Sequence, residues 1–169
     1  MSFPDHLIAA AEDLLRLLRA REAILVTAES CTGGLLAALM TEIPGSSHAF
    51  ERGFVTYSDE AKSELLGVGR ETLARHGAVS EETASAMAAG ALDKSNASIA
   101  VSITGIAGPG GGTTEKPVGL VFLACMRRDG LPSLSKLELG NRSRSAIRLA
   151  AVANALVLVR QQLESQLER

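Results

Sequence analysis

The sequence predicts an α/β protein, a three-layer α/β/α sandwich with a mixed central sheet. Two observations lead to this fold class. Segments with helical spacing of apolar residues alternate with short, continuously apolar runs, which are typical of buried parallel strands. Near the C-terminal end, Asp129 and Gly130 form a hairpin signal between two strand-like segments, which therefore pair antiparallel. The alternation of helices and strands favours helices on both faces of the sheet, and the hairpin excludes a purely parallel sheet.

Five helices are predicted from apolar periodicity and from their end signals. Pro44 and Gly45 stop the second helix, because neither residue suits a helix interior. Ser58 is the expected N-cap of the third helix, and the acidic Asp59 and Glu60 suit the positive end of its dipole. The predicted helices span residues 4–21, 34–42, 59–66, 80–94 and 143 onward.

Five strands are predicted between these helices. The continuous apolar run at 23–27 indicates a central strand that is covered on both faces. The β-branched and aromatic residues at 53–57 favour a second strand. The remaining strands are predicted at 98–104, 118–126 and 133–139.

Length and charge narrow the class of protein. The 169 residues contain no linker, repeat or charge block, so we expect one domain spanning the chain. Seventeen basic and nineteen acidic side chains give a net charge of −2. This balance argues against a general nucleic-acid binder or membrane-surface binder, which would carry a basic patch. The longest apolar stretch, 149–159, is far shorter than the roughly twenty residues that cross a bilayer.

The two cysteines, Cys31 and Cys125, form neither a CxxC pair nor a metal-spaced cluster. We therefore expect free thiols, a reducing compartment and no bound metal. The N-terminal segment lacks the apolar core of a signal peptide, so we expect a cytoplasmic protein.

The first candidate for chemistry is the turn between the first strand and the second helix. It places Ser30 and Cys31 beside the free N–H groups of a helix start, which can stabilise an oxyanion or bind an anion. It is not a GxSxG nucleophile elbow, because Ala28 and Thr32 replace the two glycines. The alternative interpretation is that Ser30 and Thr32 cap the helix, with Gly33 serving the turn.

The second candidate is the pair formed by Tyr57 at a strand end and Lys62 in the first turns of the next helix. A lysine is poorly placed at the positive end of a helix dipole, although this placement also helps to lower its pKa. A lysine that acts as a base must be neutral near pH 7. The alternative interpretation is a solvated surface lysine, which is the more common role of this residue type.

The third candidate is the glycine-rich loop at 104–117. It is neither a Walker A sequence nor a dinucleotide fingerprint, because no Gly-Lys-Ser/Thr occurs and a strand follows it. It can wrap a ligand with backbone N–H groups, or it can be a flexible connector. Its length within a domain favours a functional role. Arg144, near the start of the last helix, is suited to bidentate phosphate binding or to a surface position.

Five motifs in this order, AESCTGG, PGSS, VTYSDEAK, GAVSEE and TGIAGPGGGTTEKPVG, resemble the CinA C-terminal domain family. The resemblance extends over residues 23–158. The family includes stand-alone nicotinamide-nucleotide amidohydrolases. The resemblance implies an α/β/α fold, a small-molecule nucleotide substrate, and deamidation of nicotinamide mononucleotide to nicotinate mononucleotide and ammonia. It implies neither a metal nor a cofactor.

The resemblance also implies roles for individual residues. Ser30 would be the nucleophile, Lys62 its general base, and Tyr57 a support for the proton transfer. The backbone at Cys31, Thr32 and Gly33 would hold the oxyanion. The residues implied in substrate binding are Ser47, Thr104, Gly105, Ala107, Gly108 and Arg144.

Two departures from the family pattern affect these assignments. Arg52 replaces a common glycine before the second strand. The segment that leads into the last helix reads LGNRSR, so either Arg142 or Arg144 would contact the phosphate.

Two other functions remain open: a non-catalytic regulatory module that binds a pyridine nucleotide, and a hydrolase of another small amide. The joint presence of Ser30, Tyr57 and Lys62 favours catalysis, because binding alone requires none of them. Cys31 is the next candidate nucleophile. The Ala-rich helices at 80–94 and 147–159 could support a homo-oligomer, which we expect.

Overall fold

The computed structural model describes residues 3–128 and 130–165. That part of the chain contains six α-helices, one short 3₁₀-helix and five strands. The elements are α1 Asp5–Ala20, β1 Leu25–Glu29, α2 Leu35–Glu42, the 3₁₀-helix Ser46–His48, β2 Phe50–Val55, α3 Asp59–Leu66, α4 Arg70–His76, α5 Glu81–Asp93, β3 Ile99–Gly105, β4 Leu120–Arg127, β5 Ser133–Glu138 and α6 Arg144–Glu164.

The strands form one mixed sheet in the order β2-β1-β3-β4-β5. The first three in this order are parallel, and β4 is antiparallel to both of its neighbours. The mixed sheet and the antiparallel pairing of the last two strands confirm the sequence prediction. Asp129, half of the predicted hairpin signal, lies outside the described residues. Because β1, β2 and β3 are parallel, their C-terminal ends meet at one edge of the sheet.

Helices cover both faces of the sheet, which confirms the three-layer arrangement. On one face, α2 and α6 pack against the sheet and α1 packs on these two helices; Leu14, Leu36 and Val152 belong to the core on this side. On the other face, α5 packs against β1, β3 and β4, α3 packs on α5, and Met87 of α5 is fully buried. Burial of such large apolar side chains on both faces is the main force that holds the three layers together.

Helix α6 is the only element of the described chain that is long and apolar enough, by length and composition, to cross a membrane. Its apolar residues are used within the fold. Ile147, Val152 and Val159 have exposed fractions of 0%, 0% and 1%, and they belong to the core between α6 and the sheet. The helix therefore packs as a core helix of this layer.

The predicted end signals are confirmed at several helices. The Ser58 hydroxyl accepts a hydrogen bond from the Ala61 N–H at 3.1 Å, and α3 has the predicted bounds. Ser80 and Ser143 cap α5 and α6 in the same way. Gly67 ends α3 in the left-handed conformation, with φ of +68°, which glycine adopts without strain.

The predicted bounds of two strands are wrong, and one helix was not predicted. Strand β1 lies two residues later than predicted, because it continues through buried residues as far as Glu29. Strand β2 begins at Phe50 and ends at Val55, so Tyr57 lies beyond it. Helix Arg70–His76 was not predicted; it buries no side chain, so it leaves no apolar period in the sequence.

Candidate active site

Two residues at the C-terminal edge of the parallel strands form the centre of the site. Ser30 directly follows β1, and Lys62 lies in the first turns of α3, the helix that follows β2. Strands β1 and β2 are neighbours, so these two segments are brought side by side. The Lys62 Nζ lies 3.2 Å from the Ser30 Oγ. Both residues are buried, with exposed fractions of 1% and 8%.

The surroundings of Lys62 favour a neutral amine. Burial is the largest effect on this group and lowers its pKa, while the negative charges of Asp59 and of an ionised Cys31 oppose the shift. The Nζ also donates to the carbonyl oxygens of Thr56 at 3.1 Å and Ser58 at 3.4 Å. A neutral amine has two N–H groups and one lone pair. These two carbonyls use both N–H groups, which leaves the lone pair for the Ser30 hydroxyl.

The three expected oxyanion donors, the N–H groups of Cys31, Thr32 and Gly33, differ in whether the turn already uses them in a hydrogen bond. The Gly33 N–H donates to the Ser30 carbonyl oxygen at 3.0 Å, because the turn closes tightly, with a φ of +59° at Gly33. This N–H is thus already used, contrary to our expectation. Within residues 3–128 and 130–165, the N–H groups of Cys31 and Thr32 have no hydrogen-bond acceptor. These two N–H groups can donate hydrogen bonds to an oxygen atom on which negative charge develops.

The Cys31 thiol is a poor candidate for the nucleophile. Its exposed fraction is 6%, and burial raises its pKa to about 11. Since the thiolate is the reactive form of cysteine, this group is almost entirely unreactive at neutral pH. The geometry therefore favours Ser30 over its neighbour.

A cavity of about 250 Å³ opens above Ser30. Most of the residues predicted for the site lie in its wall. They are Ser30, Cys31, Tyr57, Lys62, Thr104, Gly105, Ala107, Gly108 and Arg144. Residues from α3, from the end of β3 and from the glycine-rich loop thus meet around one space.

Arg144 joins two sides of this cavity. Its Nη1 donates to the Gly108 carbonyl oxygen at 2.7 Å, and its Nη2 donates to the Tyr57 hydroxyl at 2.9 Å. Arg142 is exposed and is not in the cavity wall. Of the two arginines left open by the sequence, Arg144 is therefore the one that lies in the cavity wall. Among the described residues, no hydrogen bond joins the Tyr57 hydroxyl to Lys62 or Ser30.

The end of β3 shapes the floor of the cavity. The Thr104 hydroxyl is buried and donates to the Ala78 carbonyl oxygen at 2.6 Å, which ties β3 to the segment before α5. A Cβ atom at Gly105 would lie 2.7 Å from the carbonyl oxygen of Leu120 in β4. Glycine is therefore required at this position by the close approach of the two backbones.

Comparison with known proteins places this arrangement in a family. Residues 8–163 match the CinA C-terminal domain. The chain belongs to the CinA C-terminal domain family. Nicotinamide-nucleotide amidohydrolase PncC of Escherichia coli strain K12 is 51% identical over 158 residues, which cover 94% of this chain and 95% of that protein.

Other members of the CinA family include longer proteins and solved structures. The CinA-like protein of Chloroherpeton thalassium is 58% identical over 132 residues, which cover 78% of this chain and 30% of that protein. The crystal structure of competence/damage inducible protein CihA from Agrobacterium tumefaciens has a TM-score of 0.93 and 48% identity. The match covers 95% of this chain and 98% of that one. The family resemblance inferred from the five motifs is confirmed.

Ser47 is the predicted substrate-binding residue that the structure does not bring to the cavity. It is exposed and lies in the 3₁₀-helix Ser46–His48, just before β2 begins. The start of β2 pairs with the start of β1, whereas Ser30 follows the end of β1. Within one chain, Ser47 therefore lies at the opposite edge of the sheet from Ser30, contrary to our expectation.

Two residues that the sequence analysis did not single out hold the turn after Ser30. The buried carboxylate of Glu29 accepts the N–H groups of Leu36 at 3.0 Å and Ala37 at 2.9 Å, which fixes the start of α2. The Arg148 guanidinium donates to the Thr32 carbonyl oxygen at 2.6 Å. An acid at the end of an apolar strand is the signal that could have identified Glu29, because such a group is buried only when it is well hydrogen-bonded.

The described residues contain no cluster of three or more His, Cys, Asp or Glu side chains that could hold a metal ion. Both cysteines are buried and free. The side chains in the cavity wall include the Ser30 hydroxyl, the Cys31 thiol, the Tyr57 phenol, the Lys62 amine and the Arg144 guanidinium.

Proposed function

We propose that this chain deamidates nicotinamide mononucleotide to nicotinate mononucleotide and ammonia, with Ser30 as nucleophile and Lys62 as general base. One observation carries the proposal: a buried amine lies 3.2 Å from the hydroxyl that follows β1. The similarity to the E. coli amidohydrolase over nearly the whole of both chains supports the choice of substrate.

The first step is attack by the Ser30 Oγ on the carboxamide carbon. Lys62, neutral before the reaction because of its burial, accepts the hydroxyl proton. The carboxamide oxygen becomes negatively charged and is held by the N–H groups of Cys31 and Thr32. In well-studied hydrolases, each such donor contributes roughly 3 kcal/mol. The positive charge of the pyridinium ring makes the carbon more electrophilic.

The second step releases ammonia. The protonated Lys62 donates its proton to the leaving amide nitrogen, the carbon–nitrogen bond breaks, and an ester to Ser30 remains. Water then attacks this ester, Lys62 takes one of its protons, and the carboxylate product leaves with the Ser30 hydroxyl restored. Arg144 binds the phosphate of the nucleotide. Tyr57, whose hydroxyl accepts from Arg144, acts by holding that guanidinium in place and not by supporting the proton transfer as the family resemblance implied.

The test measures ammonia release from nicotinamide mononucleotide, nicotinamide riboside and nicotinamide. We expect release from the mononucleotide, and a loss of at least a thousandfold in kcat for Ser30→Ala and Lys62→Met. Matched controls on β5, Ser135→Ala and Lys136→Met, should retain wild-type activity. No release from any of the three compounds would favour a regulatory binding module. Release from only another amide would mean a different hydrolase.

A second measurement tests the covalent step. Acid quenching of a reaction under substrate excess, followed by intact-protein mass spectrometry, should show a mass increase that corresponds to the acylated protein. The adduct should map to Ser30 and should be absent from Ser30→Ala. Near-normal turnover by Ser30→Ala would overturn the nucleophile assignment and would make Cys31 the next residue to test.

The physiological setting of this activity is also part of the proposal. We expect the chain to work in the cytoplasm as a homo-oligomer, without a nucleic-acid or membrane partner. Light scattering of the purified protein measures the oligomeric state directly, and a monomeric mass would contradict this part.

A further inference from the structure

We propose that Arg148 is a positioning residue that holds the turn after Ser30 and so determines kcat without contributing to substrate binding. The inference rests on the proposed deamidation. The turn in question comprises residues 30–34, between β1 and α2. Arg148 projects to it from α6, one helical turn after Arg144.

The contacts of Arg148 are with the backbone of the turn. Its Nη2 donates to the Thr32 carbonyl oxygen at 2.6 Å, and a Cβ atom at Gly33 would lie 3.5 Å from the same nitrogen. The carboxylate of Glu29 holds the start of α2 on the other side of the turn. Arg148 thus holds the Thr32–Gly33 peptide, which directly follows the peptide that carries the unused Thr32 N–H, and Glu29 holds the start of α2 beyond the turn.

One polar atom of the half-buried Arg148 side chain is left without a hydrogen bond. The Nε is buried and has no hydrogen-bond partner among the described residues. No carboxylate in that part of the chain forms an ion pair with this guanidinium. A buried donor without an acceptor costs free energy, and a charge without a counter-ion adds to that cost. An apolar side chain would serve the packing of α6 better, so the arginine at this place points to a role at the turn.

The position of Arg148 separates its effect from that of Arg144. Arg144 lies in the cavity wall, whereas Arg148 does not. Loss of the Arg148 side chain removes a support of the Ser30 Oγ and of the Thr32 N–H, and leaves the walls that contact the nucleotide unchanged. A small displacement of a nucleophile and an oxyanion donor slows the chemical step strongly. We therefore expect kcat to fall while KM stays constant.

The experiment compares steady-state kinetics of Arg148→Met, Arg148→Lys and the control Arg160→Met, which changes an exposed arginine further along α6. For Arg148→Met we expect kcat to fall at least tenfold, with KM for nicotinamide mononucleotide within twofold of wild type. Arg148→Lys should recover part of this loss, because an ammonium can still donate to the Thr32 carbonyl. Arg160→Met should match wild type.

Each kinetic result has a defined interpretation. A kcat for Arg148→Met within twofold of wild type, or a rise in KM at constant kcat, would overturn the inference. So would an Arg148→Lys variant as slow as Arg148→Met at the same melting temperature. Should Arg148→Met not fold, Arg148→Lys carries the test alone: a lower kcat at constant KM supports the inference, and an unchanged kcat overturns it. An inactive wild-type protein would instead refute the proposed function.

Discussion

Replacing Asp59 by asparagine should shift the acid limb of the pH–activity profile to lower pH. The Asp59 Oδ1 lies 3.9 Å from the Lys62 Nζ, and its negative charge raises the pKa of that amine against the larger, opposite effect of burial. Catalysis by the proposed mechanism needs neutral Lys62, so activity falls as the pH drops below this pKa. Removal of the Asp59 charge lowers the pKa and extends activity toward acid.

The size of the shift follows from distance and exposure. Two unit charges about 4 Å apart interact by about 4 kcal/mol at an effective dielectric constant of 20 and by about 1 kcal/mol in water. The Asp59 side chain is 54% exposed, so the lower figure applies, and exposed pairs contribute roughly 0.2–1 kcal/mol. One pKa unit corresponds to about 1.4 kcal/mol. We therefore expect a shift of about half a unit and, on the acid limb, a kcat/KM about threefold above wild type.

The assay is kcat/KM for nicotinamide mononucleotide, measured at closely spaced pH values for wild type, Asp59→Asn and Glu60→Gln. The last variant removes the same charge from the next residue, which forms no ion pair with Lys62 among the described residues, and its profile should stay in place. The substrate phosphate titrates equally in all three reactions, so differences between variants isolate the enzyme group. High salt should reduce the difference between the profiles of wild type and Asp59→Asn, because salt screens the Asp59 charge. An unmoved profile for Asp59→Asn, or a shift to higher pH, would show that Lys62 is not the group that titrates.

Three further predictions concern stability, each measured as the free energy of unfolding by denaturant titration. Lys62→Met should be more stable than wild type at pH 7, because the lowered pKa of the buried amine means that the unfolded state binds the proton more tightly than the folded state does. The difference in the free energy of unfolding should narrow as the pH approaches 10.5. A difference that does not change with pH would contradict the lowered pKa. Glu29→Gln should lose about 1–3 kcal/mol, because an amide accepts only one of the two N–H groups well, whereas the exposed control Glu12→Gln should lose nothing. Gly105→Ala should lower the free energy of unfolding by about 1–3 kcal/mol, because the added methyl group clashes with β4. Gly110→Ala should leave it unchanged, because Gly110 has open space around it. Equal stabilities of the two variants would refute the packing argument.

The parts of the fold that could be predicted from the sequence are those with local signals. Helix α3 begins and ends where Ser58 and Gly67 indicate, because capping is decided within one turn of the helix. The bounds of β1 were wrong because the prediction ended the strand at the last apolar residues. The strand continues to Glu29, whose carboxylate is satisfied by N–H groups seven and eight residues later, a contact that no strand pattern contains.

The same distinction applies to the site. Ser30 and Lys62 could be singled out because each breaks a local rule, and the family resemblance joined them across 32 residues of sequence. The use of the Gly33 N–H within its own turn, and the support of that turn by Arg148 from α6, depend on tertiary geometry. The prediction that Ser47 lines the cavity was wrong for a related reason. A motif match gives only a position along the chain. Ser47 precedes β2, whereas the cavity lies where the parallel strands end, so Ser47 is at the opposite edge of the sheet.

The proposed mechanism uses a lysine as the base, and the topology explains how this lysine reaches Ser30. In parallel strands β1 and β2, the residue after one strand and the first turns of the helix after the other necessarily meet at the same edge of the sheet. The N-terminal end of α3 opposes a positive charge on Lys62, and burial opposes it further, so both effects lower the pKa of the amine. Two carbonyl oxygens near the start of α3 then fix the direction of the lone pair toward Ser30. A placement that is unfavourable for a charged lysine is therefore the placement that makes a neutral one useful as a base.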